Sequence, residues 1–460
     1  MTTAVLNNKK PIISGIPNWL FVFTFAIAIN SIMAYVLLNF FEVDTHPDYY
    51  HTLAQNLMSG NGYIVEPGKD PIFWRPPLYP LMLAAVYYIF GIHHLPVVIV
   101  QILINSLSSV LLYLVIKKIF GATAGICAAI VYALYPLSGY YVVRELPLIL
   151  FNFLIILLIF IMYRLYETPT WINALMFGAV QGLLTLTQVF FKGFPVFIIL
   201  SVLLISMFHF YHFARAQFLP PGLQKGGESL SLFNIFSIYI NQSKMQIKKY
   251  LLITIMMFLG FSIILMPWLI RNYKVSGIFP VVGVGGGFTL WFGNNIQTDG
   301  KDFDQLPPEQ AEALKMEMRQ IIGNNGYGVD LKNDKKLYDE AINNFIRYPK
   351  ETAILMFKKI FRLWFWVYSL SMQKYQRFVT ILQFMIILPG ILGIFLALKN
   401  RIRVGPLLLL LAYFQMVYTI YTGTIRYSIP VMPVVIGFAV YGVIEVYRKF
   451  SVYHWNRARA

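Results

Sequence analysis

The chain has 460 residues, 58% of them hydrophobic, 17% aromatic and only 12% charged, and its apolar runs reach the roughly 20 residues that a bilayer crossing needs. Its one cysteine, Cys127, excludes an internal disulfide framework and any cysteine metal cluster. A net charge of +17 would point to nucleic acid in a soluble protein, but in a chain of this composition the charges are first sorted by membrane side.

In chain order the expected spans are 17–41, 95–116, 121–141, 146–166, 171–191, 194–213, 250–270, 377–398, 404–422 and 429–447. The first follows a basic stub but is too long for a signal-peptide core and lacks a small-residue cleavage site, so it is expected to be retained. Basic residues follow alternate spans: Lys117 and Lys118, Arg164, the segment Arg215 to Lys249, Lys399 with Arg401 and Arg403, and the tail Arg448 to Arg459. The positive-inside rule then places these ends, and both termini, in the cytoplasm. On this sorting 17 of the 37 basic residues lie inside with only Glu167, Glu228 and Glu445, and the other 17 acids lie outside. The charge is therefore a topology and lipid-headgroup signal that needs no nucleic acid.

The expected fold is an all-α polytopic membrane protein of about 10 (10–13) transmembrane helices in a cell (inner) membrane. Three parts follow: an N-terminal membrane module, 1–270, with an outward first loop at 42–94; an outward loop or cap region, 271–376; and the C-terminal helices and cytoplasmic tail, 377–460. Two apolar stretches, 77–91 and 352–370, break the alternation, and the second carries Lys358, Lys359 and Arg362. Both read as juxtamembrane helices on the outer face. In the later loop "GVGGGFTLWFGNN" is rich in turn residues, whereas "PPEQAEALKMEMRQII" reads as an amphipathic helix opened by proline. No convincing internal repeat is present, which weighs against a transporter.

Candidate chemistry gathers at the outer ends. In "EVDTHPDYYHTLAQNLMSGNGY", Asp44 and Asp48 follow the first span and precede a helix from Tyr49 to Met58. By spacing alone Asp44 is an interfacial acid and Asp48 a helix-start acid. In "FWRPPLYPLML", Arg75 stands before Pro76 and Pro77, on backbone biased towards extended, and Pro77 can open the next helix. The guanidinium is thus held at the membrane surface, where it suits a lipid phosphate or ordinary snorkelling equally. Glu145 beside Arg144, Lys192, Arg271 in "PWLIRN" and Arg426 in "TIRYSIP" are further polar residues at outer ends, each either an interfacial anchor or part of an anion site. His46, His51, His93 and His94 match no strong ligand motif, so no metal is assigned and no cofactor is required; a divalent ion is compatible with the acids. Gly283 to Gly287 lack the strand, lysine and helix of a nucleotide loop, which excludes an ATP site.

The segments "DTHPDYYHTLAQNLMSGNGY", "WRPPLYPLMLAAVYYIFG", "RELPLILFNFLIILLIF", "MPWLIRNYKVSGIFPV", "GGGFTLWFGNN" and "IRYSIPVMPVVIGFAVYGV" together resemble the bacterial fold-C integral-membrane glycosyltransferases of the protein mannosyltransferase-like and lipid A aminoarabinose transferase-like group, from residue 17 to about 447. The resemblance implies a transferase that takes a sugar from a polyprenyl monophosphate donor, with an acid of the first loop near the acceptor and Arg75 on the donor phosphate. The family's first-loop aspartate commonly precedes a tyrosine by four positions and an alanine by eight, which with Tyr50 and Ala54 points at His46. Asp44 and Asp48 each miss that position by two. Both are retained as catalytic candidates with Glu145, while Lys192, Arg271 and Arg426 join Arg75 as candidate phosphate ligands. The expected function is sugar transfer to a hydroxyl of a lipid, glycan or protein at the outer membrane face, with membrane lipids as further partners; a transporter or lipid flippase is the alternative.

Overall fold

The computed structural model describes residues 16–68, 71–201, 232–279, 282–301, 303–323, 331–367 and 370–457. The expected span 194–213 beyond residue 201, and the basic segment from Arg215 to residue 231, lie outside the described residues.

The described residues are mostly helical, with no strand among them. In order the helices are α1 (Asn18–Phe40), α2 (Tyr50–Met58), α3 (Leu78–Phe90), α4 (His94–Phe120), α5 (Ala122–Ala133), α6 (Pro136–Val142), α7 (Leu148–Glu167), α8 (Trp171–Thr185), α9 (Val189–Ser201), α10 (Leu232–Ser276), α11 (Gly286–Gly293), α12 (Pro308–Ile322), α13 (Leu331–Arg347), α14 (Pro349–Phe365), α15 (Gln376–Lys399), α16 (Gly405–Ile420), α17 (Ile425–Ser428) and α18 (Met432–Arg457). Among the described residues six helical segments are long and apolar enough to cross a membrane, and α5 with α6, bent by 55° at a short break, makes a seventh candidate. Three further expected spans coincide with shorter apolar helices, α8, α9 and α16, so length does not settle the expected ten. The juxtamembrane stretches 77–91 and 352–370 appear as α3 and α14, the latter ending at Phe365.

Without a hydrophobic drive between helices in lipid, close packing needs small residues at the crossings. Two helix pairs show this. A Cβ on Gly178 of α8 would lie 1.8 Å from the Met257 carbonyl oxygen of α10, and one on Gly260 would lie 2.1 Å from that of Leu175. Likewise a Cβ on Gly393 of α15 would meet the Phe438 carbonyl oxygen of α18 at 1.9 Å.

A buried polar network sets the bend between α5 and α6. Asn105 of α4 donates to Asn30 of α1 (2.8 Å) and its carbonyl oxygen accepts from Tyr132 (2.6 Å) and Ser138 (3.1 Å), while Asn152 of α7 donates to the Tyr132 hydroxyl. Each of these side chains is fully buried, so the bonds satisfy groups that lipid cannot. The turn between α6 and α7 carries Arg144 and Glu145 at the end of this pinned bend. A separate apolar cluster of Leu290, Trp291, Phe292, Leu306, Leu314, Met318, Ile322, Leu337 and Ala341 underlies the later loop.

Candidate active site

The first loop leaves α1 and makes one 3-10 turn, Pro47–Tyr49, in which Asp48 (φ 67°) and Tyr49 (φ 65°) both adopt left-handed backbone. That conformation costs a non-glycine residue roughly 1–2 kcal/mol, so something must hold it. The hold is electrostatic. Asp48 Oδ1 lies 2.9 Å from Arg75 Nη2 and its Oδ2 lies 2.9 Å from Arg426 Nη2, while the Asp48 carbonyl accepts from Arg75 Nε at 3.2 Å. Burial raises the Asp48 pKa, but Arg75 and Arg426 outweigh it and keep the carboxyl well below the usual range.

Arg75 is fixed from several sides. Its guanidinium lies over the rings of Trp74 (4.5 Å) and Tyr50 (5.2 Å). The Tyr63 hydroxyl donates to the carbonyls of Arg75 (3.0 Å) and Pro76 (3.1 Å), and the Leu78 amide, first in α3 after Pro77, donates to the Leu186 carbonyl at 3.0 Å. The two prolines therefore enter a braced turn.

Glu145 forms a second centre, and it is completely buried. Its amide donates to the Thr45 carbonyl at 2.8 Å, tying the α6–α7 turn to the first loop. Oε1 faces His94 Nδ1 at 3.1 Å and His46 Nε2 at 3.4 Å; Oε2 accepts from the Tyr87 hydroxyl at 2.8 Å and faces His51 Nδ1 at 3.0 Å. Burial raises the Glu145 pKa, yet the His51, His94 and Tyr87 contacts prevail and bring it down to about 2. Burial lowers the pKa of His46, with Glu145 opposing. His46, His94 and Glu145 each offer one ligand atom to a common space, so a possible metal-binding triad is present.

Beside this centre, Asp44 is the exposed acid: two thirds of its side chain reaches solvent, its Oδ2 lies 3.3 Å from Arg144 Nη2, and its carbonyl accepts from Arg144 Nε at 2.8 Å. The structure thus brings Asp44, Asp48, Glu145, Arg75 and Arg426 around one short loop. Arg271 stands apart from the ion pairs, enclosed by Tyr63 (5.4 Å), Phe73 (5.5 Å) and Trp268 (4.8 Å) and donating to the Ile72 carbonyl at 3.3 Å, where it braces the chain leading to Arg75. Lys192 is exposed on the first turn of α9. Sequence spacing missed the convergence of His46, His51, His94 and Tyr87 on Glu145, because its members come from four separate elements. The signal available was location: all of these histidines fall on the expected outer side, as does Glu145 at the outer end of a span.

Comparison with known proteins adds to this geometry. The profile of a family described as dolichyl-phosphate-mannose-protein mannosyltransferase matches residues 74–216. That stretch begins one residue before Arg75 and contains Glu145 and Lys192, and it upholds the resemblance to the fold-C membrane glycosyltransferases. No curated protein matches the sequence. Among solved structures the chain is similar to the oligosaccharyltransferase AglB of Archaeoglobus fulgidus in complex with an inhibitory peptide and a dolichol-phosphate, at TM-score 0.45 and 13% identity, covering 96% of this chain and 52% of that one. The apo form of that oligosaccharyltransferase gives TM-score 0.46 and 15% identity over 95% and 52%. ArnT of Cupriavidus metallidurans bound to undecaprenyl phosphate gives TM-score 0.40 and 12% identity over 92% and 76%. The chain spans about half the length of the oligosaccharyltransferase chains it matches.

Proposed function

We propose that this protein is a membrane glycosyltransferase that moves a sugar from a polyprenyl-phosphate donor to a hydroxyl acceptor at the outer membrane face. The observation that carries the reading is the meeting of Arg75 and Arg426 on Asp48 beside the exposed Asp44, with Arg75 the second residue of the stretch matched by the mannosyltransferase family. A planar guanidinium gives a phosphate two parallel hydrogen bonds, and two such groups, Arg75 before α3 and Arg426 in α17, converge on one carboxylate. In the resting protein Asp48 holds both arginines in place, and a donor phosphate takes its place against the two guanidinium groups that Asp48 has gathered.

Asp44 is the base in this reading, because it reaches solvent while Asp48 is held ionised by two cations and Glu145 is enclosed. As the acceptor oxygen attacks the anomeric carbon, the bond from that carbon to the donor phosphate oxygen breaks, the acceptor proton passes to Asp44, and polyprenyl phosphate leaves with its added negative charge facing Arg75 and Arg426. Direct attack inverts the anomeric configuration. Lys192 lies within the matched stretch and is exposed to approach a headgroup, and Arg271 supports Arg75 from its aromatic box. The same proposal places both termini in the cytoplasm of an inner membrane, and 271–376 as an outward cap between two membrane parts, 1–270 and 377–460. Purified protein incubated with a panel of polyprenyl-phosphate sugars and hydroxyl acceptors tests the reading: free polyprenyl phosphate is released in equal amount to new glycoside. A panel that yields none with a folded, donor-binding protein refutes it.

A further inference from the structure

We infer that His46, His94 and Oε1 of Glu145 form a site for one divalent transition metal ion of the zinc class, which clips the first loop to the outer mouth of the helix bundle. Zinc bound by imidazole and carboxylate at about 2.0–2.2 Å in tetrahedral geometry places neighbouring ligand atoms roughly 3.3 Å apart. The two nitrogens lie 3.1 and 3.4 Å from Glu145 Oε1, and all three atoms lie within 4.8 Å of one another. The ligand set chooses the metal: two imidazoles with one carboxylate suit zinc, whereas magnesium and calcium favour all-oxygen shells.

The two oxygens of Glu145 divide the work. Oε1 faces the candidate ligands, and Oε2 is held by Tyr87 and His51, the kind of outer support that orients a metal-binding carboxylate. Three imidazoles crowd here, with the His46 ring centroid 4.4 Å from that of His51 and 5.2 Å from that of His94, so three added protons would repel one another, while one metal ion satisfies two nitrogens and the carboxylate at once. His94 Nε2 is buried without a hydrogen-bond partner, which leaves Nδ1 as that ring's polar engagement. His46 is two-fifths exposed and supplies an entry path and room for a fourth ligand from solvent.

The role follows from the connections. His46 belongs to the first loop, His94 opens α4, and Glu145 lies in the turn between α6 and α7. One ion therefore ties three segments together two residues from Asp44 and two from Asp48. The inference does not depend on the transfer reaction and is tested without it.

Full-length protein is stripped with a chelator, reloaded with zinc and analysed for metal content and zinc-edge X-ray absorption. The expected result is about one zinc per chain with a nitrogen and oxygen shell at about 2.0–2.2 Å. Glu145→Gln and His94→Gln should bring the content to background, and His51→Gln should keep the ion with roughly 10- to 100-fold weaker affinity. Should the Glu145 variant not fold, wild-type protein still decides: reloaded zinc must protect the first loop from limited proteolysis, and magnesium must not displace it. Stripped wild-type protein that takes up no zinc, a folded His94→Gln variant at full stoichiometry, or a loop indifferent to zinc overturns the inference.

Discussion

Asp48 and Asp44 are four residues apart and do opposite things with their charge. Asp48 is shared by two guanidinium groups, so Asp48→Asn should loosen both and raise the donor KM by roughly 10- to 100-fold, the scale of one charge-assisted hydrogen bond, with a smaller change in turnover. Asp44→Asn keeps the shape and removes the basicity, so turnover should fall by about 10²- to 10⁴-fold with donor binding retained; wild-type turnover in that variant would move the base elsewhere. Arg75→Lys replaces a braced two-pronged donor with a point charge and should lose most activity through donor use, measured as donor affinity and turnover separately. Arg75 was legible in the sequence because the two prolines that follow act locally on its backbone. The pairing of Asp48 with Arg426, and the histidines around Glu145, were not, because each contact joins distant parts of the chain and no spacing rule reaches that far. The family pattern pointed at His46 where the aspartate was sought, and the structure gives that position a partner in Glu145.

At the scale of the element, apolar periodicity and proline recovered most helices, including α12, expected from its opening proline and found as Pro308–Ile322. The stretch "GVGGGFTLWFGNN" was expected to be turn-rich, and instead Gly286–Gly293 is helix. Its glycines serve close approach: a Cβ on Gly287 would lie 1.9 Å from the Asp334 carbonyl oxygen of α13, and one on Gly293 would lie 2.0 Å from that of Tyr421. Gly287→Ala should therefore cost about 1–3 kcal/mol and lower the thermal midpoint in detergent. Lys359 is the second lesson of this scale. It is one of the three cations of an expected juxtamembrane helix, yet on α14 it is buried, donating to Asn294 Oδ1 (2.6 Å) and to the carbonyls of Ile420 (3.1 Å) and Tyr421 (3.3 Å) at the end of α16. Burial, aided by the Arg362 charge, lowers its pKa from 10.5 to about 7. Between those values the unfolded chain holds a proton that the folded chain does not, so stability rises with pH across that window and levels off below it. Thermal midpoints should rise from pH 7 to pH 10 in the wild type and rise less in Lys359→Met, which should also be less stable throughout because two carbonyls lose their donor.

For the whole molecule, charge sorting predicts orientation even where helix length leaves the number of spans open. In a Cys127→Ser background, a cysteine at Glu309 should react with an impermeant reagent from outside and one at Lys399 only after permeabilisation; the reverse pattern would invert the topology. The contact between Asp48 and Arg426 joins positions 378 apart in the chain, and this has a consequence in time. At a synthesis rate of about 5–20 residues per second, the first loop is complete roughly 20–75 s before its second arginine has been made. Throughout that interval Asp48 has only Arg75 for company, and its left-handed backbone is held by half of its final anchors. A nascent chain halted before residue 426 carries Asp44, Asp48, Glu145 and the braced arginine, yet it should leave that loop open to proteases, so completion of the chain itself becomes the event that locks the first loop.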